Sequence, residues 1–146
     1  MKKLEVGSGE KPKQGYLHFD IRKNVGADII GDAAKLPFKG EEFDEIYSRF
    51  FLEHLTRKEA EKALAEMNRV MKHGGKIEII VPNLAYFCKL FAGEKGQKKE
   101  WALNKIYGFE KYKEDHHYFG YDKETLAKSL TEAGFVEIEQ IKEEDQ

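Results

Sequence analysis

Two glycines and an acid stand where a chain can hold a ribose. Leu4-Glu5-Val6-Gly7-Ser8-Gly9 reads as a strand running into a glycine turn, and Tyr16-Leu17-His18-Phe19-Asp20 as a second strand ending in a carboxylate. Gly7 and Gly9 allow a sharp turn and close approach to a ligand, with no Cβ in the way. A carboxylate at the tip of the next strand accepts hydrogen bonds from a ribose diol, and such charge-assisted bonds contribute about 1.5–3 kcal/mol each. Further groups with chemical capacity come later: Asp32, Ser48 and Arg49, then His54 and the pair His116-His117. Histidine is the usual base near neutral pH, so His54, His116 and His117 are the catalytic candidates. No His, Asp or Glu set with clear ligand spacing accompanies the histidine pair, and no metal is expected.

These groups need elements to hold them. The pattern predicts strands at 2–6, 16–21, 27–32, 43–48, 76–81 and 135–141, the last a half-exposed edge. The clearest helix carries Ala60, Ala63, Leu64, Met67, Val70 and Met71 on one stripe. Thr56 is its N-cap, with Glu59 completing a capping box, and Gly74-Gly75 supplies a left-handed stop. Further helices are expected at 84–92, 99–108 and 123–133, the last capped by Asp122 and ended by Gly134. The apolar run Ile77, Ile79, Ile80, Val81 suits a strand covered on both faces. Strands alternating with helices imply an α/β fold with a mainly parallel sheet. Ligands of such sheets sit beyond the carboxyl ends of the strands. The 7–9 turn, Asp20, Asp32 and Ser48 all fall there.

Bulk properties narrow the class. A chain of 146 residues is read as one domain, 1–146, with 84–121 as its irregular, variable segment. A net charge of −2 and a pI near 6.2 give no nucleic-acid footprint, which is expected at a pI of about 9 or above. The single cysteine, Cys88, excludes a disulfide framework and reads as a small core residue. No apolar run approaches the roughly 18 residues of a membrane span, and the first residues carry no apolar signal region. The expectation is a cytoplasmic protein with no membrane association.

A dinucleotide is a poor fit. Its G-x-G-x-x-G fingerprint opens a helix, with an acid about 20 residues on. Here Pro12 holds the third glycine position, and Asp20 follows Gly9 by eleven positions. NADH binding would revive an oxidoreductase reading.

With those residues in view, the chain resembles the class I S-adenosylmethionine (SAM)-dependent methyltransferases. Leu4-Glu5-Val6-Gly7-Ser8-Gly9 looks like the family's first motif, and Asp20 like its ribose acid. Gly31-Asp32-Ala33 before Leu36-Pro37-Phe38 resembles its G-D-A-x-x-L-P-F segment, and Phe43-Asp44-Glu45-Ile46 through Leu52-Glu53-His54-Leu55 its F-D-x-V…L-E-H-L segment. Met71-Lys72-His73-Gly74-Gly75-Lys76 is similar to the L-K-P-G-G turn before strand five, and residues 122–135 to the late helix and A-G-F turn.

The resemblance implies a Rossmann-like three-layer αβα sandwich of about six strands, the last antiparallel. It implies SAM as cofactor, held by Glu5, Gly7, Ser8, Gly9, Asp20, Ile21, Asp32, Ala33, Ser48 and Arg49. It implies methyl transfer to a small-molecule acceptor, met on the side of 84–121. Positioning alone can contribute roughly 7–11 kcal/mol to such a displacement, so the lack of an evident acid–base pair does not argue against activity. The departures are a start directly at strand one, a short first loop, His73 in place of the turn proline and one strand after the last helix. They lead to the expectation of an open pocket closed by a homodimer or another partner. They also motivate an alternative: a non-catalytic SAM-binding or partner-binding module.

Overall fold

The computed structural model describes residues 1–141. Five strands are formed: β1 (Lys3–Val6), β2 (Leu17–Asp20), β3 (Ile29–Ile30), β4 (Phe43–Arg49) and β5 (Met71–Ile80). They lie in the order β3-β2-β1-β4-β5, and all four pairings are parallel. Four helices accompany them: α1 (Arg57–Val70), α2 (Leu84–Gly93), α3 (Gln97–Tyr107) and α4 (Lys123–Glu132). Single 3₁₀ turns occupy Ala33–Lys35 and Leu52–His54. The α/β reading therefore holds, with parallel strands whose carboxyl ends share one rim.

The core forms where the helical stripe meets the sheet. Ala60, Ala63, Leu64, Met67 and Val70 of α1 are buried with Leu4, Val6, Phe19 and Ile46 of the strands. Leu130 of α4, with Tyr121 and Phe135, joins the same cluster. α1 starts as its sequence demands: the Glu59 N–H donates to Thr56 Oγ1 and the Thr56 N–H to Glu59 Oε1, each at 3.2 Å. Asp122 and Thr125 make the same reciprocal cap on α4.

Several expectations need correction. α1 ends at Val70, and Met71 opens β5 opposite Phe43. No glycine cap is used, because the Glu41 and Glu42 N–H groups donate to the last carbonyls, those of Arg69 and Val70. Gly74-Gly75 lies instead in an irregularity of β5, where the register slips between Phe43–Met71 and Glu45–Lys76. A Cβ on Gly75 would stand 2.8–2.9 Å from the Lys72 and Asp44 carbonyl oxygens, so a side chain is excluded there.

Residues 135–141 form no strand, which leaves five strands among the described residues and no antiparallel one. Glu137 at φ 53° breaks the extended run, Val136 is 81% exposed, and Phe135 turns into the core with its N–H on the Leu130 carbonyl. β5 is accordingly the edge of the sheet, with Ile77, Ile79 and Ile80 half-buried rather than covered on both faces. Cys88 is exposed, because Phe87 takes the inward position of α2. Among the described residues, no helix is long and apolar enough to cross a membrane.

Candidate functional site at the strand tips

The glycine turn is built by short-range bonds. The Gly7 and Ser8 N–H groups both donate to the Phe19 carbonyl, at 2.8 and 3.2 Å, tying the end of β1 to β2. Gly7 and Gly9 adopt φ of +77° and +58°, the left-handed region that favours glycine. They differ in what surrounds them. Open space lies where a Cβ would stand on Gly9, whereas at Gly7 the Phe51 ring would be met within 2.6 Å.

Asp20 links the turn to the next strand tip. Its Oδ2 accepts from the Gly9 N–H at 2.7 Å and its Oδ1 from the Arg22 N–H at 2.8 Å, and the residue is buried. A carboxylate has about four acceptor sites, so two local bonds leave capacity for ligand hydroxyls. Ile21 beside it is half-exposed, an apolar surface at the rim. Glu5, buried one turn earlier, steadies the loop from below: its Oε1 accepts from the Lys13 N–H at 2.8 Å and from His18 Nδ1 at 3.0 Å. Ser8 is buried with its hydroxyl unpartnered.

The remaining expected residues divide. Asp32 caps the 3₁₀ turn through a 2.9 Å bond from the Ala34 N–H, and is exposed at the tip of β3 beside buried Ala33. Ser48 is buried in β4 opposite Ile79. Arg49 is exposed, its guanidinium 4.5 Å from the centre of the Phe50 ring.

The segment after α3 folds back over this rim. The Tyr118 N–H donates to the Glu53 carbonyl, the His117 N–H to the Tyr107 carbonyl, and Tyr121 pairs with Asn83 in an isolated bridge. Arg22 stacks on Tyr112 with its guanidinium carbon 3.6 Å from the ring centre. Burial, with buried Asp115 alongside, pushes the Tyr112 hydroxyl up to about 12.

Of the three histidine candidates the fold brings two together. The rings of His54 and His117 meet edge to face at 4.7 Å, while His116 faces solvent against Tyr118. Burial holds both His54 and His117 below the usual imidazole range, and for His117 the facing His54 adds to it. Glu53, 2% exposed, joins them, and burial pushes its carboxyl up to about 8. Sequence reasoning passed over Glu53, Phe51, Arg22, Tyr112 and Asp115. Glu53 carried a signal, since it is the acid of Leu52-Glu53-His54-Leu55. The others act through tertiary contacts that no local pattern announces.

The strand order, the glycine turn and the strand-tip acids can be set beside known proteins. A family model described as a methyltransferase domain matches residues 4–79, more than half of the chain. The chain belongs to that family. The matched span runs from Leu4 in β1 to Ile79 in β5 and holds every expected cofactor residue. Among curated relatives, a ubiquinone/menaquinone biosynthesis C-methyltransferase of Bordetella avium is 47% identical over 51 residues, 35% of this chain and 19% of that protein. A demethylmenaquinone methyltransferase of Staphylococcus haemolyticus is 28% identical over 153 aligned positions, covering 92% of this chain and 54% of the relative. The chain thus spans at most about half the length of these two proteins.

Solved structures agree on the fold. A SAM-dependent methyltransferase of Thermotoga maritima, described as a possible histamine N-methyltransferase, superposes with a TM-score of 0.65 at 20% identity, over 92% of this chain and 63% of that one. A methyltransferase solved in complex with the Trm112 activator of Haloferax volcanii gives 0.60 at 15% identity, over 91% and 60%.

Proposed function

We propose that this chain is a SAM-dependent methyltransferase domain that passes a methyl group to a small-molecule acceptor. The observation that carries the reading is the 2.7 Å bond from the Gly9 N–H to Asp20 Oδ2, which joins the glycine turn and the strand-tip acid into one cradle. The residues present fit a nucleoside there. Open space stands over Gly9, Asp20 keeps acceptor capacity, and Ile21 offers an apolar face at the rim. A structural neighbour, a phosphoethanolamine N-methyltransferase of Haemonchus contortus with a TM-score of 0.58, was solved in complex with SAM.

Each residue then has a part. Asp20 receives the ribose hydroxyls, and the backbone at Gly7, Ser8 and Gly9 lies along the ligand. Glu5 holds that loop through Lys13 and His18. Asp32 and Ala33 meet the base at the tip of β3, and Ser48 and Arg49 flank the methionine end after β4. When bound, SAM supplies the activated methyl, and the protein contributes position and exclusion of water. The acceptor enters from the side of residues 84–121 in a single domain, with cytoplasm as the expected location. A second copy or a partner protein closes the open pocket.

The test is release of S-adenosylhomocysteine from SAM across a panel of small acceptors, including quinones and amines. Turnover with any of them supports the proposal. One observation favours the second reading, a non-catalytic SAM-binding or partner-binding module: the Phe51 ring packs on Gly7, at the methionine end of the cradle. SAM binding with no turnover on any acceptor would decide for that module.

A further inference from the structure

Beneath the returning segment lies a second constellation, distinct from the glycine turn. Glu53 and His54 close the 3₁₀ turn after β4, and His117 descends from the segment beyond α3. One ligand atom from each of the three lies within 4.8 Å of the other two. The polar atoms here are unspent. Glu53 is 2% exposed, and its carboxylate has no hydrogen-bond partner beyond its own backbone N–H. The His54 ring is hydrogen-bonded by the backbone at His116 and Glu114, yet its buried Nδ1 has no partner. His117 Nδ1 lies 2.9 Å from the Lys105 carbonyl, which makes Nδ1–H the donor and leaves the Nε2 lone pair free.

Buried polar groups are almost always satisfied, and each exception calls for a cause such as a missing ion. A buried acid facing two imidazole lone pairs is such an exception. The surroundings are rich in negative charge, since buried Asp115 acts on Glu53 and on both histidines. Lys105 acts on Glu53 at longer range, but its ammonium rests against the ring faces of Phe50 and Trp101, at 5.4 and 5.6 Å.

We propose that Glu53, His54 and His117 form a three-ligand site for a divalent transition metal of the zinc type. Two imidazoles and one carboxylate suit zinc, whereas magnesium and calcium prefer shells built of oxygen. Zinc binds such ligands at about 2.0–2.2 Å, so neighbouring donors of a tetrahedral site stand roughly 3.3–3.6 Å apart. The three donors need only small side-chain movements to close from their present spacing. The Lys105 carbonyl on His117 is the outer contact that fixes the tautomer of a metal-binding imidazole. Three protein ligands leave the fourth position open. Here Glu53 and His117, with Pro82, Leu84, Lys105 and Phe119, line a small recess of about 10 Å³, room for about one water. A water there would complete the shell of a bound ion.

Its test needs no activity. The purified chain is freed of metal, then titrated with Co²⁺ followed visibly and with Zn²⁺ in competition. The expected result is one equivalent of Co²⁺ with the bands of a four-coordinate ion, displaced by one equivalent of Zn²⁺. Glu53→Gln and His117→Gln should each weaken binding by at least about a hundredfold, since losing an outer contact alone costs 10–100-fold. His116→Ala, on the neighbouring solvent-facing ring, should leave binding unchanged. Glu53→Gln removes a buried acid and is expected to fold, as circular dichroism will check, so it decides the matter if His117→Gln does not. Failure of the folded wild type to bind either ion would overturn the proposal. So would binding that survives Glu53→Gln.

Discussion

The glycine-turn cradle and the Glu53 cluster follow the carboxyl ends of neighbouring parallel strands, β1 and β4, but are built in opposite ways. At the cradle, polar groups other than the Ser8 hydroxyl are satisfied locally: Asp20 accepts from Gly9 and Arg22, Glu5 from Lys13 and His18, and the Gly7 and Ser8 N–H groups donate to Phe19. In the cluster, Glu53 and the His54 Nδ1 face inward with no partner in another residue. The cradle is a backbone shape that exists before its ligand arrives. The cluster is a set of side chains from distant segments whose bonding is incomplete without one. Preorganisation is thus carried by glycine and main chain in one region, and by burial in the other.

Four tests can break or sharpen that contrast. The largest effect is expected at Gly7. Gly7→Ala meets left-handed strain of about 1–2 kcal/mol and overpacking against Phe51 of about 1–3 kcal/mol. Gly9→Ala meets only the strain, because the space beside it is open. Urea unfolding of the two variants should separate them, with part of the Gly7→Ala loss recovered by adding Phe51→Ala. Equal losses would remove Phe51 from the cradle.

Asp20→Ala comes next. It removes the proposed ribose acceptor and the bond that fixes Gly9. SAM affinity should fall at least about tenfold, the equivalent of 1.4 kcal/mol, with the Co²⁺ affinity of the other region unchanged. A parallel loss of both would show that the two regions are not separately built.

Thr56→Ala tests what holds the cluster in place, since its capping box starts α1 two residues after His54. The expected cost is about 1 kcal/mol of stability by thermal unfolding. A neutral result would mean that the turn at Leu52–His54 is held by the core alone.

Glu66→Gln is the smallest and lies outside both regions. The bond from Arg69 holds the Glu66 carboxyl below its usual range, with the Leu36 N–H adding to it. A carboxyl lowered in the folded state contributes stability above its ordinary pKa and loses it as pH falls through the lowered folded value. The variant should therefore lose stability less steeply on acidification, by a few tenths of a kcal/mol for so exposed a pair. An identical acid limb would show that the pair contributes nothing.

What was legible in the sequence follows the same division. The helical stripe of α1, both caps, the glycine turn and the acid at Asp20 are local patterns, and the fold realises each of them. Boundaries set by tertiary contact were not legible. Met71 continues the stripe, yet the loop at Glu41 and Glu42 satisfies the helix end and releases Met71 to pair with Phe43. Residues 135–141 alternate like a strand, but alternation supplies a face and not a partner, and Glu137 turns the chain away. The partners of His117 were not legible because its neighbours in space, Glu53 and His54, lie more than sixty residues earlier.

The central claim is that the cradle at Gly9 and Asp20 binds SAM. Isothermal titration of the folded chain with SAM, and with S-adenosylhomocysteine, tests it most directly. The account predicts saturable binding at one site, weakened at least about tenfold in Asp20→Ala. No heat of binding from the folded wild type, or an affinity untouched by Asp20→Ala, would contradict it.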